Sequence, residues 1–221
     1  MTNTQRVTFP SSAGEASGVL VMPEGGGGGK PPAVVVLQEW WGINEQIQVV
    51  AARYASAGFA ALIPDLYHGK IAQNAEEAGA MMKALDHGKA VQEIAGAVEH
   101  LRTIGNGKVA VTGYCLGGAL AFAAAVHIRG LAAVVPFYGL PGALDWSKID
   151  APIQAHFASH DDWATVAGAQ QIKDAVTVPM ALHVYDAQHA FANERRPEVY
   201  NAEAAQQAWD RALAFIRAQT A

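Results

Sequence analysis

The sequence contains a single cysteine and few charged residues. Cys115 is the only thiol, and Asp, Glu, Lys and Arg together make up 16% of the 221 residues. One cysteine excludes an internal disulfide framework and suits a reducing compartment, which predicts a cytoplasmic protein. The formal net charge of -5 provides no basic excess to attract phosphate backbones or anionic lipid, so we expect no nucleic-acid partner.

Long apolar runs are also missing. No apolar stretch approaches the roughly eighteen residues that cross a bilayer, and residues 1–15 lack a basic region followed by an apolar run. We therefore expect a soluble protein with no membrane partner. Its length and its 51% hydrophobic content suit one globular domain over residues 1–221, as a monomer or small homo-oligomer.

Apolar segments alternate with helical segments along most of the chain. Two β-rich runs at 6–9 and 17–22 predict an opening antiparallel pair, and the glycines at 25–29 predict a surface loop, since no GKS/T pattern supports a phosphate loop. The alternation that follows predicts an α/β fold, a mostly parallel central sheet with helices on both faces. The predicted strands are 33–37, 59–63, 109–112, 131–137, 152–157 and 180–185, and the predicted helices are 44–57, 75–104 with a break near His87 and Gly88, and 202–218.

The segment GYCLG at 113–117 joins a β-branched strand to an alanine-rich helix. Its G-x-C-x-G spacing is typical of a nucleophile turn, in which the central residue is strained and the flanking glycines prevent clashes. The start of the helix favours a thiolate and directs the N–H of Leu116 toward an oxyanion. A lone cysteine is usually a small buried hydrophobe, but in this turn Cys115 is predicted to be the nucleophile.

A nucleophile of this kind needs a histidine to carry its proton and an acid to orient that histidine, in the chain order nucleophile, acid, histidine. Two adjacent acids, Asp161 and Asp162, follow the strand predicted at 152–157, and spacing alone does not separate them. His189 follows the strand predicted at 180–185. Both loops lie at equivalent strand ends, where such sheets keep their sites.

Three other histidines fit the role of the base less well. His160 and His183 lie in or beside predicted strands, and His183 alternates as an ordinary strand residue. His68 could line the pocket, but it precedes Cys115 and does not suit the expected chain order. His189 is therefore the predicted base.

Six short motifs carry a family resemblance. They are QEWWG at 38–42, PDLYHG at 64–69, GYCLGG at 113–118, FYG at 137–139, HDD at 160–162 and HAF at 189–191. In this order and spacing they resemble the dienelactone hydrolase family of α/β-hydrolases, the carboxymethylenebutenolidase-like enzymes, over nearly the whole chain from Ala33 onward. The resemblance implies a triad of Cys115, His189 and Asp161, with Asp162 as the alternative acid, and neither a metal nor an organic cofactor.

The resemblance also assigns neighbours of the thiol. It implies that Glu39 controls the proton of the thiol in the resting enzyme, and the tryptophans beside Glu39 should exclude water from its carboxylate. A solvated loop glutamate is the alternative interpretation. The backbone N–H groups of Trp40 and Leu116 are implied as the two oxyanion donors.

The sequence departs from the family where a substrate would be recognised. Family members that open dienelactones resemble one another in holding the substrate's carboxylate with arginines. The matched positions here are 68–70, which read His-Gly-Lys, and Asn193, so the bidentate fork is missing. Lys70, Arg195 or Arg196 could replace it if their loops fold inward, although charged loop residues are more often solvated. The candidates for substrate binding are Trp41, Tyr67, His68, Tyr138, Phe191 and Asn193.

These features predict a hydrolase that cleaves a lactone or a small carboxylic ester through a cysteine nucleophile and an acyl-enzyme. Within the same class, the missing arginines and the tryptophan-rich loop would also suit a broad-specificity carboxylesterase for uncharged small esters. A non-catalytic binding protein on the same fold is the hypothesis from a different class, and the intact triad argues against it. A cysteine peptidase disagrees with the chain order and with the strand-turn-helix context.

Overall fold

The computed structural model describes residues 3–24 and 29–221, so four of the five glycines predicted as a surface loop, 25–28, lie outside the described residues. The strands are β1 (Asn3–Ser11), β2 (Gly14–Met22), β3 (Ala33–Leu37), β4 (Ala60–Pro64), β5 (Val109–Tyr114), β6 (Ala133–Phe137), β7 (Ile153–His160) and β8 (Met180–Gln188). The helices are α1 (Glu45–Ser56), α2 (Ala75–Ala84), α3 (His87–Ile104), α4 (Leu116–His127), α5 (Val166–Ala175) and α6 (Ala202–Thr220), with a 3-10 turn at Trp146–Lys148.

The eight strands form one sheet in the order β1-β2-β4-β3-β5-β6-β7-β8. β1 pairs antiparallel with β2, and β2 pairs antiparallel with β4. The remaining neighbours among the described strands are parallel. This confirms the predicted opening pair and the mostly parallel sheet. Because parallel strands end at the same edge, the segments after β3, β5, β7 and β8 meet at the carboxyl edge of the sheet.

Helices cover both faces of the sheet, as predicted. Every residue of β3 and β4 is buried, which requires apolar cover on both sides. On one side α1 and α6 pack together through Tyr54 and Trp209, whose ring centroids are 4.6 Å apart. α3 and α4 form a second contacting pair. None of the helices in the described part of the chain has the length and apolar character that a membrane crossing requires.

The predicted break near His87 and Gly88 is confirmed, between α2 and α3. The Asp86 side chain accepts the N–H of Lys89 and caps the start of α3. α5 was not predicted, since its ten residues carry only a short apolar face. The signal that indicates it is local: Thr165 caps the helix by accepting the N–H of Gly168.

The last two strands run three residues further than predicted. Their polar ends continue to pair, as far as His160 opposite Gln188. A cross-strand contact accompanies this pairing, with His160 Nε2 lying 2.8 Å from an Asp186 carboxylate oxygen. Consequently Asp161 and His189 follow directly after paired backbone, which fixes their position more firmly than a free loop would.

His156 is a buried histidine of β7 that no sequence pattern singled out. It is 0% exposed. Its Nε2 lies 3.1 Å from the Gln154 side-chain oxygen, which can only accept, so Nε2 carries the proton. Nδ1 then accepts the hydroxyl proton of Tyr185 at 2.8 Å. Burial lowers the pKa of His156 well below its ordinary value, and the neighbouring His183 and Arg211 lower it further.

We expect this histidine to weaken the fold in acid. Below the unfolded-state pKa of about 6.5, this histidine is protonated in the unfolded chain but stays neutral in the folded protein. The free energy of unfolding therefore falls as pH decreases, by up to about 1.4 kcal/mol per pH unit. Urea unfolding between neutral and mildly acidic pH measures this slope. His156→Gln should flatten it, whereas His87→Gln, at an exposed position, should keep the wild-type slope. An equal slope in wild type and His156→Gln would contradict this prediction.

Candidate active site

Cys115 occupies the turn between β5 and α4. Its φ of 55° and ψ of -114° lie outside the regions that a residue with a side chain normally adopts. The flanking glycines are required by close packing. A Cβ at Gly113 would overlap the Gly117 carbonyl oxygen, and a Cβ at Gly117 would overlap the Leu37 carbonyl oxygen. The predicted strand-turn-helix is therefore present, and it places the thiol at the carboxyl edge of the sheet.

Cys115, His189 and Asp161 lie in hydrogen-bond contact in that order. His189 Nε2 is 3.1 Å from Cys115 Sγ. His189 Nδ1 is 2.6 Å from an Asp161 carboxylate oxygen. Because the carboxylate can only accept, Nδ1 carries the ring proton and Nε2 is free to accept the proton of the thiol. The structure thus brings together the three residues that the sequence proposes as nucleophile, base and acid.

Asp161 accepts hydrogen bonds at both of its carboxylate oxygens, whereas the adjacent Asp162 is exposed. Asp161 is 7% exposed, and its second carboxylate oxygen accepts the N–H groups of Trp163 and Ala164, each at 2.9 Å. Burial alone would raise the pKa of Asp161, but the hydrogen bonds from His189 and from these N–H groups outweigh it and lower the pKa. Asp162 is exposed. The geometry therefore favours Asp161 over Asp162 as the partner of the histidine.

Glu39 follows β3 directly and is 3% exposed. One carboxylate oxygen accepts the side-chain N–H of Asn193 at 2.7 Å, and the other accepts the hydroxyl of Tyr138 at 3.3 Å. Burial raises the pKa of Glu39 in spite of these two hydrogen bonds and of the nearby His189. Glu39 is therefore a held, buried carboxylate, unlike a solvated loop glutamate.

Burial and a neighbouring carboxylate disfavour the thiolate form of Cys115. Burial raises the pKa of Cys115 to about 12, and the negative charge of Glu39 contributes to the rise. The N–H of Leu116, at the start of α4, lowers the pKa but is outweighed. The helix start favours a thiolate, as expected, but desolvation and repulsion by the carboxylate of Glu39 have the larger effect on the pKa of Cys115.

Comparison with models of known protein families assigns the chain to one of them. The model of the dienelactone hydrolase family matches residues 16–220. The chain belongs to the dienelactone hydrolase family. Its architecture is the α/β-hydrolase fold of dienelactone hydrolase structures.

Individual relatives agree with this assignment. The chain is 35% identical over 195 residues to the protein usf of Aquifex pyrophilus, covering 81% of this chain and 84% of that protein. It is 33% identical over 196 residues to a carboxymethylenebutenolidase of Pseudomonas sp. (strain P51), covering 81% of each. A dienelactone hydrolase-like promiscuous phosphotriesterase from metagenomic libraries has a TM-score of 0.88 at 22% identity, covering 100% of this chain and 99% of that chain, and at this identity it shows the fold alone.

In this member of the dienelactone hydrolase family, the thiol opens into a cavity of about 960 Å³. His189, Tyr138 and Trp163 also line the cavity. Trp163 is 70% exposed, and its ring centroid lies 5.5 Å from that of His189 and 6.1 Å from that of Trp40. Sequence reasoning missed Trp163, although an aromatic residue two positions after the acid, at the carboxyl edge, could have indicated it.

Three of the substrate-binding candidates, Tyr138, Tyr67 and Trp41, lie in different surroundings. Tyr138 lines the cavity and contacts Glu39. Tyr67 is buried, and burial followed by the charge of Cys115 raises its pKa to about 12, so its hydroxyl lies near the thiol. That hydroxyl has no hydrogen-bond partner within the described residues. Trp41 packs edge-on against Trp40, with ring centroids 5.2 Å apart, and is not among the described residues that line the cavity.

The other three candidates are not among the described residues that line the cavity. His68 is 69% exposed and lies 3.6 Å from Glu93, so the structure does not bring it to the cavity. Phe191 is fully buried and packs in the hydrophobic core, with its ring centroid 5.3 Å from that of Tyr138. Asn193 is 1% exposed and binds Glu39. Position in the sequence could not distinguish these roles, because all three lie within or just after motifs at the carboxyl edge.

The cations that could replace the missing arginines are only partly available. Lys70 is exposed, and Arg195 forms an ion pair with Glu45. Arg196 pairs with Glu198 at 2.8 Å, yet it is close enough to lower the pKa of both Cys115 and Glu39. Of the three, Arg196 has electrostatic influence on the thiol. Within residues 3–24 and 29–221, no group of three or more His, Cys, Asp and Glu side chains is placed to hold a metal ion.

Proposed function

We propose that this family member hydrolyses a lactone or a small carboxylic ester through the thiol of Cys115. Membership of the dienelactone hydrolase family supports ester or lactone hydrolysis as the reaction class. The observation that carries the cysteine mechanism is the continuous contact from Cys115 to His189 to Asp161, at 3.1 and 2.6 Å. This is the arrangement in which a base removes the proton of a nucleophile while an acid fixes the base.

Acylation begins when substrate binds in the cavity beside Cys115. His189 Nε2 accepts the thiol proton as Cys115 Sγ attacks the carbonyl carbon. The carbonyl oxygen becomes an oxyanion, which the N–H groups of Leu116 and Trp40 stabilise. The carbon–oxygen bond then breaks, and His189 donates its proton to the leaving oxygen. A thioester on Cys115 remains, and the alcohol, or the hydroxyl end of an opened lactone, is released.

Deacylation reverses these roles. His189 removes a proton from water, whose oxygen attacks the thioester carbonyl. The carbon–sulfur bond breaks, the carboxylic acid is released, and the proton returns from His189 to the thiol. Asp161 holds the ring in the orientation that both steps need and stabilises the imidazolium that forms in each.

Glu39 controls the thiol between turnovers. Its carboxylate, held by Asn193 and Tyr138, contributes to the raised pKa of Cys115. A neutral thiol is less reactive toward oxidants and electrophiles than a thiolate. The site therefore stays protected until substrate and His189 together draw the proton away.

We expect Glu39→Gln to make the free thiol more reactive. Removing the carboxylate charge lowers the pKa of Cys115, so alkylation by iodoacetamide should become faster and its pH midpoint should fall by roughly one pH unit. Glu45→Gln is the matched control, because Glu45 is exposed and should leave the midpoint unchanged. A Glu39→Gln midpoint equal to or above that of the wild type contradicts the role of Glu39.

A broad-specificity carboxylesterase for uncharged small esters is the second candidate. Asn193 is already bound to Glu39, and His68 is outside the cavity, so neither position matched to the family's arginines offers a carboxylate fork. Comparing kcat/KM for a carboxylate-bearing dienelactone and for a neutral ester of similar size separates the two. A strong preference for the neutral ester assigns the carboxylesterase, and a preference for the dienelactone shows that the site recognises a carboxylate, for which Arg196 is the first residue to substitute. No turnover of either would favour a non-catalytic binding protein.

The cellular setting follows from simpler features. One free thiol suits a reducing cytoplasm, and a small-molecule ester or lactone is the proposed binding partner. One domain over residues 1–221 and a monomer or small homo-oligomer stay predictions.

A further inference from the structure

The cavity at the thiol continues far beyond the triad along one face of α4. After Cys115 it is lined by Leu116, Ala119, Leu120, Ala123 and His127 of that helix. Apart from the adjacent pair Ala119 and Leu120, successive positions are three or four residues apart, so they form one continuous stripe. From Leu116 to His127 the stripe is about 16 Å long, given the rise of a helix. We call this part of the cavity, beyond Cys115 and His189, the α4 groove.

The walls of the α4 groove are mostly apolar, although Ser12, Lys83, His87 and Gln92 also line the cavity. One wall is formed by Val91 and Ala95 of α3, and the other by Leu140 and Leu144, in the segment after β6. Ala119 and Ala123 are half-buried, in contrast to the fully buried alanines on the opposite side of α4, so small side chains leave the floor open.

No acidic residue lines the cavity in the described part of the chain, although the protein has 20 Asp and Glu residues. The basic side chains along it are Lys83, His87, His127 and His189. The groove therefore presents a mostly apolar surface with no carboxylate to repel the carboxylic acid product.

The size of the cavity exceeds what a small lactone fills. Binding cavities for drug-sized ligands range from about 300 to 1,000 Å³, and a cavity of about 960 Å³ lies near the upper limit. A five-membered lactone would occupy only the part beside Cys115 and leave the groove in contact with water. A ligand that removes this apolar surface from water gains free energy in proportion to its length.

We propose that the α4 groove holds the acyl chain of the substrate, so that esters of medium-chain fatty acids are preferred to acetyl esters. This inference rests on the proposed function. The acyl group stays bonded to Cys115 while the alcohol leaves, and Trp163, which lines the cavity beside His189, is exposed. The alcohol departs on that side, and the acyl chain lies along α4.

The test is the chain-length profile of p-nitrophenyl esters, measured at concentrations below micelle formation. Each buried methylene is worth up to about fourfold in kcat/KM, so octanoate should exceed acetate by at least about 50-fold. Octyl acetate, which carries the chain on the alcohol, should gain no comparable advantage over ethyl acetate.

A substitution in the groove separates this site from general hydrophobic preference. Ala123→Leu places a larger side chain in the middle of the stripe and should lower the ratio of octanoate to acetate kcat/KM by at least about tenfold. Ala84→Leu makes the same change at an exposed position of α2 that does not line the cavity, and should keep the wild-type ratio. A thermal unfolding curve for Ala123→Leu shows whether the variant is folded.

Each outcome decides a separate point. If the wild type hydrolyses no ester, the proposed function fails and the groove proposal fails with it. If acetate is hydrolysed but the profile is flat or falls with chain length, the groove proposal is overturned and the proposed function stands. A rising profile that folded Ala123→Leu does not change also overturns it, because the chain would then lie elsewhere.

Discussion

Replacing Cys115 with alanine should lower kcat for a chromogenic ester by about 10,000-fold or more, because a nucleophile and its base act as one unit and loss of either removes most of the catalysis. Stopped-flow release of p-nitrophenol measures the effect. The wild type should also show a burst of product, from acylation, that the variant lacks. The residual rate of Cys115→Ala reports the contribution of the oxyanion donors and of binding alone.

Two controls make this loss interpretable. Cys115 is the only cysteine, so stoichiometric alkylation of the wild type should abolish the same activity without any change of sequence. Cys115→Ala should keep the wild-type circular dichroism and unfolding temperature within a few degrees. Turnover that survives in the folded alanine variant, or in fully alkylated protein, would place the nucleophile elsewhere.

Asp161→Asn should lower kcat by about 10,000-fold, since an amide in place of the carboxylate favours the wrong tautomer of His189 and does not stabilise the imidazolium. The structure supports this size of effect because Asp161 is buried and lies 2.6 Å from His189 Nδ1. The pH profile of kcat is an independent readout, because a misoriented histidine changes the acidic limb of the profile as well as the maximum value of kcat.

The adjacent acid provides a matched control. Asp162→Asn makes the same chemical change one residue away at an exposed position, and should stay within about threefold of the wild type, as exposed substitutions usually do. The reverse pattern, a large loss for Asp162→Asn and a small loss for Asp161→Asn, would show that the loop rearranges in solution and that Asp162 is the acid.

The features that could be predicted from sequence are those fixed by local constraints. The turn at Cys115 is one of them, because a strained residue between glycines follows from backbone packing within a few residues. β3 is another, since five consecutive apolar residues, 33–37, suit only a strand buried on both faces. The carboxyl ends of β7 and β8 were harder to predict from sequence, because polar residues such as His160 take part in strand pairing there.

The roles that could not be predicted depend on contacts between distant parts of the chain. Asn193 matched a substrate-binding position, but in the fold it donates to Glu39, which is 154 residues earlier. The direction of the pKa shift of Cys115 could not be predicted either, because burial and the carboxylate of Glu39 raise the pKa while the helix start lowers it, and their balance depends on the packed structure. The α4 groove forms between three separate segments, so its volume has no signature in any one of them.

The most direct test of the cysteine mechanism is a mass measurement on enzyme quenched in acid during turnover of an activated ester, chosen so that acylation outruns deacylation. We expect a mass increase equal to the acyl group on the peptide that contains Cys115, removable by neutral hydroxylamine as a thioester is. Wild-type turnover with the acyl group on another residue, or with no acylated Cys115 at any quench time, would contradict covalent catalysis by this thiol.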